Sequence, residues 1–354
     1  MENSVGAQLK HLAGPVLITG HTGFKGTWMT LLLEHFGVQT VGFSLDPLED
    51  SLYTRANRRG VIPEKFKDVR QYIELKSFIN DHNPSVILHM AAQPLVLESY
   101  KRPRETFDIN VMGTVNILDL ALKESSVKVV VVVSTDKVYE NRNLSRKFQE
   151  SDPLLGKDPY SASKVAKENA VTAWQQLVNV NGGPRIVSVR AGNVIGGGDL
   201  ASSRLIPDIV RSYISGNKLL IRNASSTRPW QHVIDPLIGY IRLVEKLLEG
   251  NSISNVNFGP IEKSLSVGEV VEISSGVINF EFEKIKENSS LKKLESQTLE
   301  LDPSYAGRVL NWYPKFDQVT AINRTLEWWV DVLDRNVNPL DACKKDIEIY
   351  FSKS

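Results

Sequence analysis

Residues 160 to 164 read Tyr-Ser-Ala-Ser-Lys, a phenol and an amine four positions apart at the head of an apolar-periodic stretch. On a helix that spacing puts Tyr160 and Lys164 on one face. An ammonium beside a phenol favours the phenolate, lowering a pKa of about 10 toward the range of a general base. Upstream, Ser134, Thr135, Asp136 and Lys137 follow a run of five valines, so two hydroxyls, a carboxyl and an amine sit at the end of an apolar strand. Ligands of open α/β sheets gather at that end. A third group is Gly20, Gly23 and Gly26 in Thr-Gly-His-Thr-Gly-Phe-Lys-Gly, directly after Val16, Leu17 and Ile18. Gly20 permits a tight turn, Gly23 lets backbone approach a pyrophosphate, and Gly26 lets a helix pack closely on the strand. The first N–H groups of that helix suit phosphate oxygens. Asp46, 20 residues beyond Gly26, stands where an acidic side chain accepts hydrogen bonds from both ribose hydroxyls and repels a 2′-phosphate. NAD is the expected cofactor, although Arg55, Arg58 and Arg59 keep NADP open.

The elements that must position these groups follow from apolar patterning. Five short runs, at 15–20, 40–45, 85–92, 127–136 and 184–192, are rich in Val and Ile and read as strands buried on both faces. Helical stretches at 26–36, 75–80, 106–124 and 161–178 separate them. That alternation predicts an α/β fold, a doubly wound, Rossmann-like parallel sheet. Beyond residue 191 the pieces become shorter and richer in Gly and Pro. This predicts a smaller, partly interleaved C-terminal substrate domain, with the dinucleotide-binding domain at 14–190 plus about 230–258. The substrate domain then takes 191–229 plus about 259–345.

Composition removes other classes. The 42 basic and 41 acidic residues leave a net charge of +1, which favours neither nucleic acid nor a membrane surface. No run of 18 uncharged apolar residues occurs, and the start of the chain lacks a signal-like apolar core. With one cysteine, Cys343, no intramolecular disulfide can form, and the expectation is a cytoplasmic protein with a small-molecule partner. No His, Cys and carboxylate grouping has metal-site spacing. His89 reads as a satisfied core histidine, and Trp230, Trp312, Trp328 and Trp329 as packing.

The set TGHTGFKG, HMAAQPLV, NVMGTVNIL, STDKVYEN, DPYSASK, RAGNVIGGGD and RPWQHV resembles the extended short-chain dehydrogenase/reductase family over residues 15 to 330, and within it the nucleotide-sugar 4,6-dehydratases that act on CDP-glucose. The resemblance implies internal redox chemistry: oxidation at carbon 4 of the sugar, elimination of water across carbons 5 and 6, and reduction at carbon 6. Tyr160 is then the base for the 4-hydroxyl, Thr135 a partner of the same oxygen, Asp136 the acid for the departing 6-hydroxyl and Lys137 the base at carbon 5, which burial or a neighbouring cation such as Lys164 would keep neutral. The resemblance also implies cofactor contacts from Thr22, Phe24, Lys25, Asp68, Val69, Ala91, Ala92 and Asn110, and substrate contacts from Gln93, Asn193, Arg204, Arg222, Arg228 and Arg308. It further implies a homodimer. Leu97 and Leu200 stand where that branch usually has Arg and Trp, and the segment 141–150 lacks its tryptophans. A dehydratase of a GDP-, UDP- or dTDP-linked hexose, an epimerase or reductase on the same fold, and a non-catalytic dinucleotide sensor therefore remain alternatives.

Overall fold

The computed structural model describes residues 5–141, 146–221, 223–284 and 299–352. In chain order the strands are β1 (Val16–Thr19), β2 (Thr40–Ser44), β3 (Glu64–Phe66), β4 (Val86–His89), β5 (Val129–Val133), β6 (Arg185–Ala191), β7 (Asn193–Ile195), β8 (Leu219–Ile221), β9 (Thr227–Arg228), β10 (Trp230–His232), β11 (Asn255–Phe258), β12 (Leu265–Ser266) and β13 (Phe282–Lys284). Seven of them make a wholly parallel sheet in the order β11-β6-β5-β4-β1-β2-β3. The others form three two-stranded ribbons, β7 with β10, β8 with β13 and β9 with β12.

The helices are α1 (Phe24–His35), α2 (Leu52–Arg55), α3 (Tyr72–His82), α4 (Val96–Lys101), α5 (Pro103–Phe107), α6 (Gly113–Lys123), α7 (Pro159–Asn181), α8 (Leu205–Ser215), α9 (Ile234–Leu248), α10 (Val267–Ser275), α11 (Ser304–Leu310), α12 (Gln318–Leu333) and α13 (Pro339–Phe351). The period of two along a strand divides its side chains between two cores. Val129, Val131 and Val133 of β5 join the cluster built with α1, α9, α12 and α13. Val130 and Val132 face the opposite cluster, with residues of α3, α6 and α7. Both faces being covered, the run carries no polar alternation, and each valine contributes about 1.5–3 kcal/mol of burial.

All five strands read from the sequence are present. Two more, β3 and β11, carry weaker signals: β3 is a half-buried sheet edge, and β11 holds two asparagines. Asn257 is tolerated inside β11 because it accepts from the Tyr139 hydroxyl at 2.7 Å and donates to the Phe148 carbonyl at 3.0 Å. The single helix expected over 106–124 is instead α5, a π-helical turn over Asp108–Met112, and α6. The π turn re-aims Asn110 inward, a common use of such turns at functional sites. The chain leaves the sheet after β6 and returns to it only at β11, so the sheet draws on two separated stretches. Among the described residues no helix is long and apolar enough to cross a membrane.

Candidate active site

The glycine loop shows why each glycine is required. Gly20 has φ +75°, and a Cβ there would lie 2.8 Å from the Ala91 backbone where β4 ends. A Cβ on Gly26 would lie 2.1 Å from the Gly20 carbonyl oxygen, so the first turn of α1 sits directly on the end of β1. Gly23 caps α1 with extended backbone and no side-chain cap, leaving the first N–H groups of the helix for a ligand. Thr22 braces the loop through the Ser44 hydroxyl at 2.7 Å and the Leu45 carbonyl at 3.1 Å. Phe24 lies beside Gly196, and Ala91 N–H donates to Thr19 at 3.3 Å. A dinucleotide's pyrophosphate fits this cradle. Asp46 lies two residues past β2, exposed and paired with Arg59 at 3.0 Å. Asp68 is clamped by Arg70, which also reaches Asp108. That pairing holds the Asp68 carboxyl below its usual range, even though partial burial acts the other way. Val69 is buried against Gly113.

The candidate catalytic residues lie at the end of β5 and the start of α7. Pro159 opens α7, and Asp158 caps it in a reciprocal pair with Ser161, which fixes the position of Tyr160 one residue inside the helix. Thr135 caps a short 3₁₀ turn over Asp136–Val138, accepting from the Lys137 N–H at 3.3 Å and donating to Asp136 at 2.9 Å. The other Asp136 oxygen is buried without a hydrogen-bond partner, beside Gly192 and Pro229. Burial pushes this carboxyl up, against the pull of Lys137, the Thr135 hydrogen bond and Arg228. Lys164 is buried with its ammonium 5.8 Å from the Tyr160 ring centre, and burial brings it down to about 8 against the opposing charge of Glu168.

Two expectations change. Burial dominates at Tyr160 and pushes its hydroxyl up to about 12, with the Thr135 hydroxyl and Arg204 pulling the other way. The protein groups around it therefore do not lower the phenol toward the working range of a base. Lys137 is exposed, not buried. Burial also brings down the amine of Lys25, to about 7, with Lys164 and Arg204 acting the same way.

Of the residues assigned to substrate, Arg204 and Arg228 reach the cluster electrostatically, Arg204 at Tyr160 and Arg228 at Asp136. Arg204 is also held by Asp199 at 3.2 Å in the loop after the three glycines. Asn193 begins β7 and is half-buried. Gln93 spends its side chain on its own loop: its amide nitrogen donates to Thr106 at 2.9 Å and to the Leu95 carbonyl at 3.1 Å, and its oxygen accepts from Leu95 N–H. Asn110 binds that loop to Ser163 on α7 at 2.9 Å. Ala92 is half-buried in the same loop. Arg308 is exposed on α11 over the Tyr305 ring, and Arg222 lies outside the described residues. His89 is a satisfied core histidine, bonded to Thr19 at 2.7 Å and Thr114 at 2.9 Å. The sequence reading missed Glu168, although it continues the Tyr160–Lys164 face by another four residues.

A family model described as NAD dependent epimerase/dehydratase matches residues 16–259, more than half of the chain and all of the site from the glycine loop to β11. The chain belongs to the NAD dependent epimerase/dehydratase family. Among relatives of this family member, CDP-glucose 4,6-dehydratase of Salmonella typhimurium is 36% identical over 95% of the chain and 96% of the relative. UDP-glucose 4-epimerase of Halalkalibacterium halodurans is 27% identical over 88% of the chain and 95% of the relative. Among solved structures, UDP-glucose-4-epimerase from Stenotrophomonas maltophila, with bound NAD and formylated UDP-arabinopyranose, superposes with a TM-score of 0.79 at 21% identity, covering 92% of the chain and 100% of that structure. That likeness confirms the fold.

Proposed function

We propose that the protein is an NAD-dependent nucleotide-sugar 4,6-dehydratase, a lyase, with CDP-glucose as its substrate. The observation that carries this reading is Asp136: a buried carboxyl, raised by that burial, one residue from Thr135 and in electrostatic contact with Tyr160. An epimerase needs the tyrosine and lysine but has no use for an acid aimed at a leaving hydroxyl. The 36% identity to CDP-glucose 4,6-dehydratase supports the same conclusion and favours the cytidine nucleotide.

Bound NAD supplies the acceptor and donor of the electron pair, held by Gly20, Gly23, Gly26 and Asp46. Tyr160 takes the proton of the sugar's 4-hydroxyl, with the Thr135 hydroxyl on the same oxygen and the Lys164 ammonium behind the phenol. Against the burial that raises the phenol act the Thr135 hydroxyl and the charge of Arg204. Once carbon 4 is a ketone, the hydrogen on carbon 5 is acidic. Asp136 gives its proton to the departing 6-hydroxyl, and Lys137 takes the proton from carbon 5. Lys137 is exposed at the end of β5, where a bound sugar would cover it. Arg204 and Arg228 are the cations placed for the diphosphate.

The deciding experiment incubates the purified protein separately with CDP-, GDP-, dTDP- and UDP-glucose and follows loss of water by mass spectrometry. Loss from CDP-glucose alone confirms the proposal. Loss from a different nucleotide sugar keeps the chemistry and moves the substrate, and no loss from any of the four overturns it. Nucleotide released from denatured protein should be NAD; NADP in its place would overturn the role given to Asp46.

A further inference from the structure

The face of α7 that carries Tyr160 and Lys164 continues to Glu168, one turn beyond Lys164. Glu168 is 3% exposed and gripped from strand β6: Arg190 donates to one oxygen at 3.0 Å and to the other at 2.9 Å, and the Ser188 hydroxyl donates at 2.7 Å. Arg190 is equally fixed. It donates to the Tyr139 hydroxyl at 2.8 Å and the Glu150 carbonyl at 3.1 Å, and Tyr139 in turn donates to Asn257 of β11. The carboxylate is therefore held directly by β6, whose Arg190 is in turn fixed by Tyr139 and the Glu150 carbonyl. This is far more restraint than holding a helix on a sheet demands, since α7 already has apolar residues for that, Val171 among them.

The charges around Lys164 explain what the restraint accomplishes. Facing it among the described residues are Tyr160, Lys167 and Glu168 on α7, Lys25 on α1 and His89 on β4. Burial holds His89 neutral, and Lys167, whose amine donates to the Val133 carbonyl at 3.2 Å, is also driven toward its neutral form by burial. Lys25 repels Lys164. Only Glu168 among these groups favours a charged Lys164, and it shares its charge with the Arg190 guanidinium of β6, which donates to both of its oxygens.

We propose that Glu168 is a positioning residue for the Tyr160–Lys164 pair, its carboxylate pinned by Arg190 and Ser188 as the fixed counter-charge that keeps the Lys164 ammonium charged beside the phenol. It touches neither sugar nor cofactor and acts through Lys164. The inference rests on the catalytic reading of Tyr160 and Lys164, but its primary test does not depend on turnover. In lysine-labelled protein, the Lys164 side-chain resonance, identified by its loss in Lys164→Arg, is titrated by NMR in the wild type and in Glu168→Gln. An opposite charge within one helical turn shifts a titration by about one to three pH units, so the Lys164 midpoint should fall by at least about tenfold in proton affinity. The alkaline limb of the pH–rate profile should move down with it. Glu168→Asp, which keeps the charge, should restore most of both. A midpoint unchanged in Glu168→Gln overturns the proposal even if the enzyme is active; a shifted midpoint in a protein that dehydrates no nucleotide sugar upholds it and rejects the substrate reading. Should Glu168→Gln fail to fold, the double variant Glu168→Gln/Arg190→Met removes the buried pair together and should fold. Its Lys164 midpoint should still fall, by less, and no fall overturns the proposal.

Discussion

At the residue scale, two carboxyls and two amines are divided by environment. Asp136 is pushed toward its protonated form by burial, while Glu168, equally buried, is held ionised by Arg190. In the proposed mechanism one donates a proton and the other holds a charge. Tyr160→Phe should leave the fold intact and reduce ketone formation at carbon 4 by about 10²–10⁴, the range of a lost general base; the measurement is the single-turnover appearance of reduced cofactor. Lys137→Ala should let that first oxidation proceed and stop before water leaves, so reduced cofactor accumulates and stays. Full turnover in either variant removes that residue from its role.

At the element scale, the site depends on contacts with no room for adjustment. The α1 terminus touches β1 through Gly26, and the Gly156 loop meets the start of α7, where a Cβ would lie 2.2 Å from the Ala162 nitrogen. Neither obstacle is a flexible side chain, so the backbone must move. Gly26→Ala should cost about 1–3 kcal/mol and reduce dinucleotide affinity in the same variant, read by thermal unfolding and by calorimetric titration. Normal affinity with lowered stability would mean that the loop re-forms around the methyl group. The π turn before α6 is the other special element: it directs Asn110 to Gln93 and Ser163 at once, tying the loop after β4 to α7.

At the scale of the whole molecule, a buried carboxyl connects the C-terminal helix to the sheet layer. Asp235 of α9 accepts from the Lys315 N–H at 2.6 Å and from the Tyr350 hydroxyl of α13 at 2.9 Å. Burial raises it to about 7, the hydrogen bonds notwithstanding. An unfolded aspartate titrates near 4. Between these values the folded chain holds a proton that the unfolded chain has lost, so this group's contribution falls as pH rises from about 4 to 7 and is level above. Asp235→Asn removes that slope. The stability of the wild type minus that of the variant, from urea unfolding, should decline across this window; a difference that rises or stays flat contradicts the assignment.

Much of this protein was legible in its sequence because the signals are local. Five valines in a row can only be buried on both faces, three glycines after a strand specify a loop that backbone or ligand approaches closely, and a spacing of four on a helix aligns Tyr160 with Lys164. The family resemblance located the remaining candidates along the chain. What the tertiary structure decided is the state of each group, because charge and solvation depend on neighbours distant in sequence. Sequence suggested a phenol activated by its lysine; burial raises it instead. Sequence left burial or a neighbouring cation as the means of keeping Lys137 neutral; the amine is exposed. Arg190 lies 22 positions from Glu168, and Asn257 lies 118 from Tyr139, yet these pairs fix the catalytic helix. Strand β11 and the break before α6 escaped notice for the same reason: Asn257 and Asn110 look like loop residues until the partners that satisfy them are brought alongside.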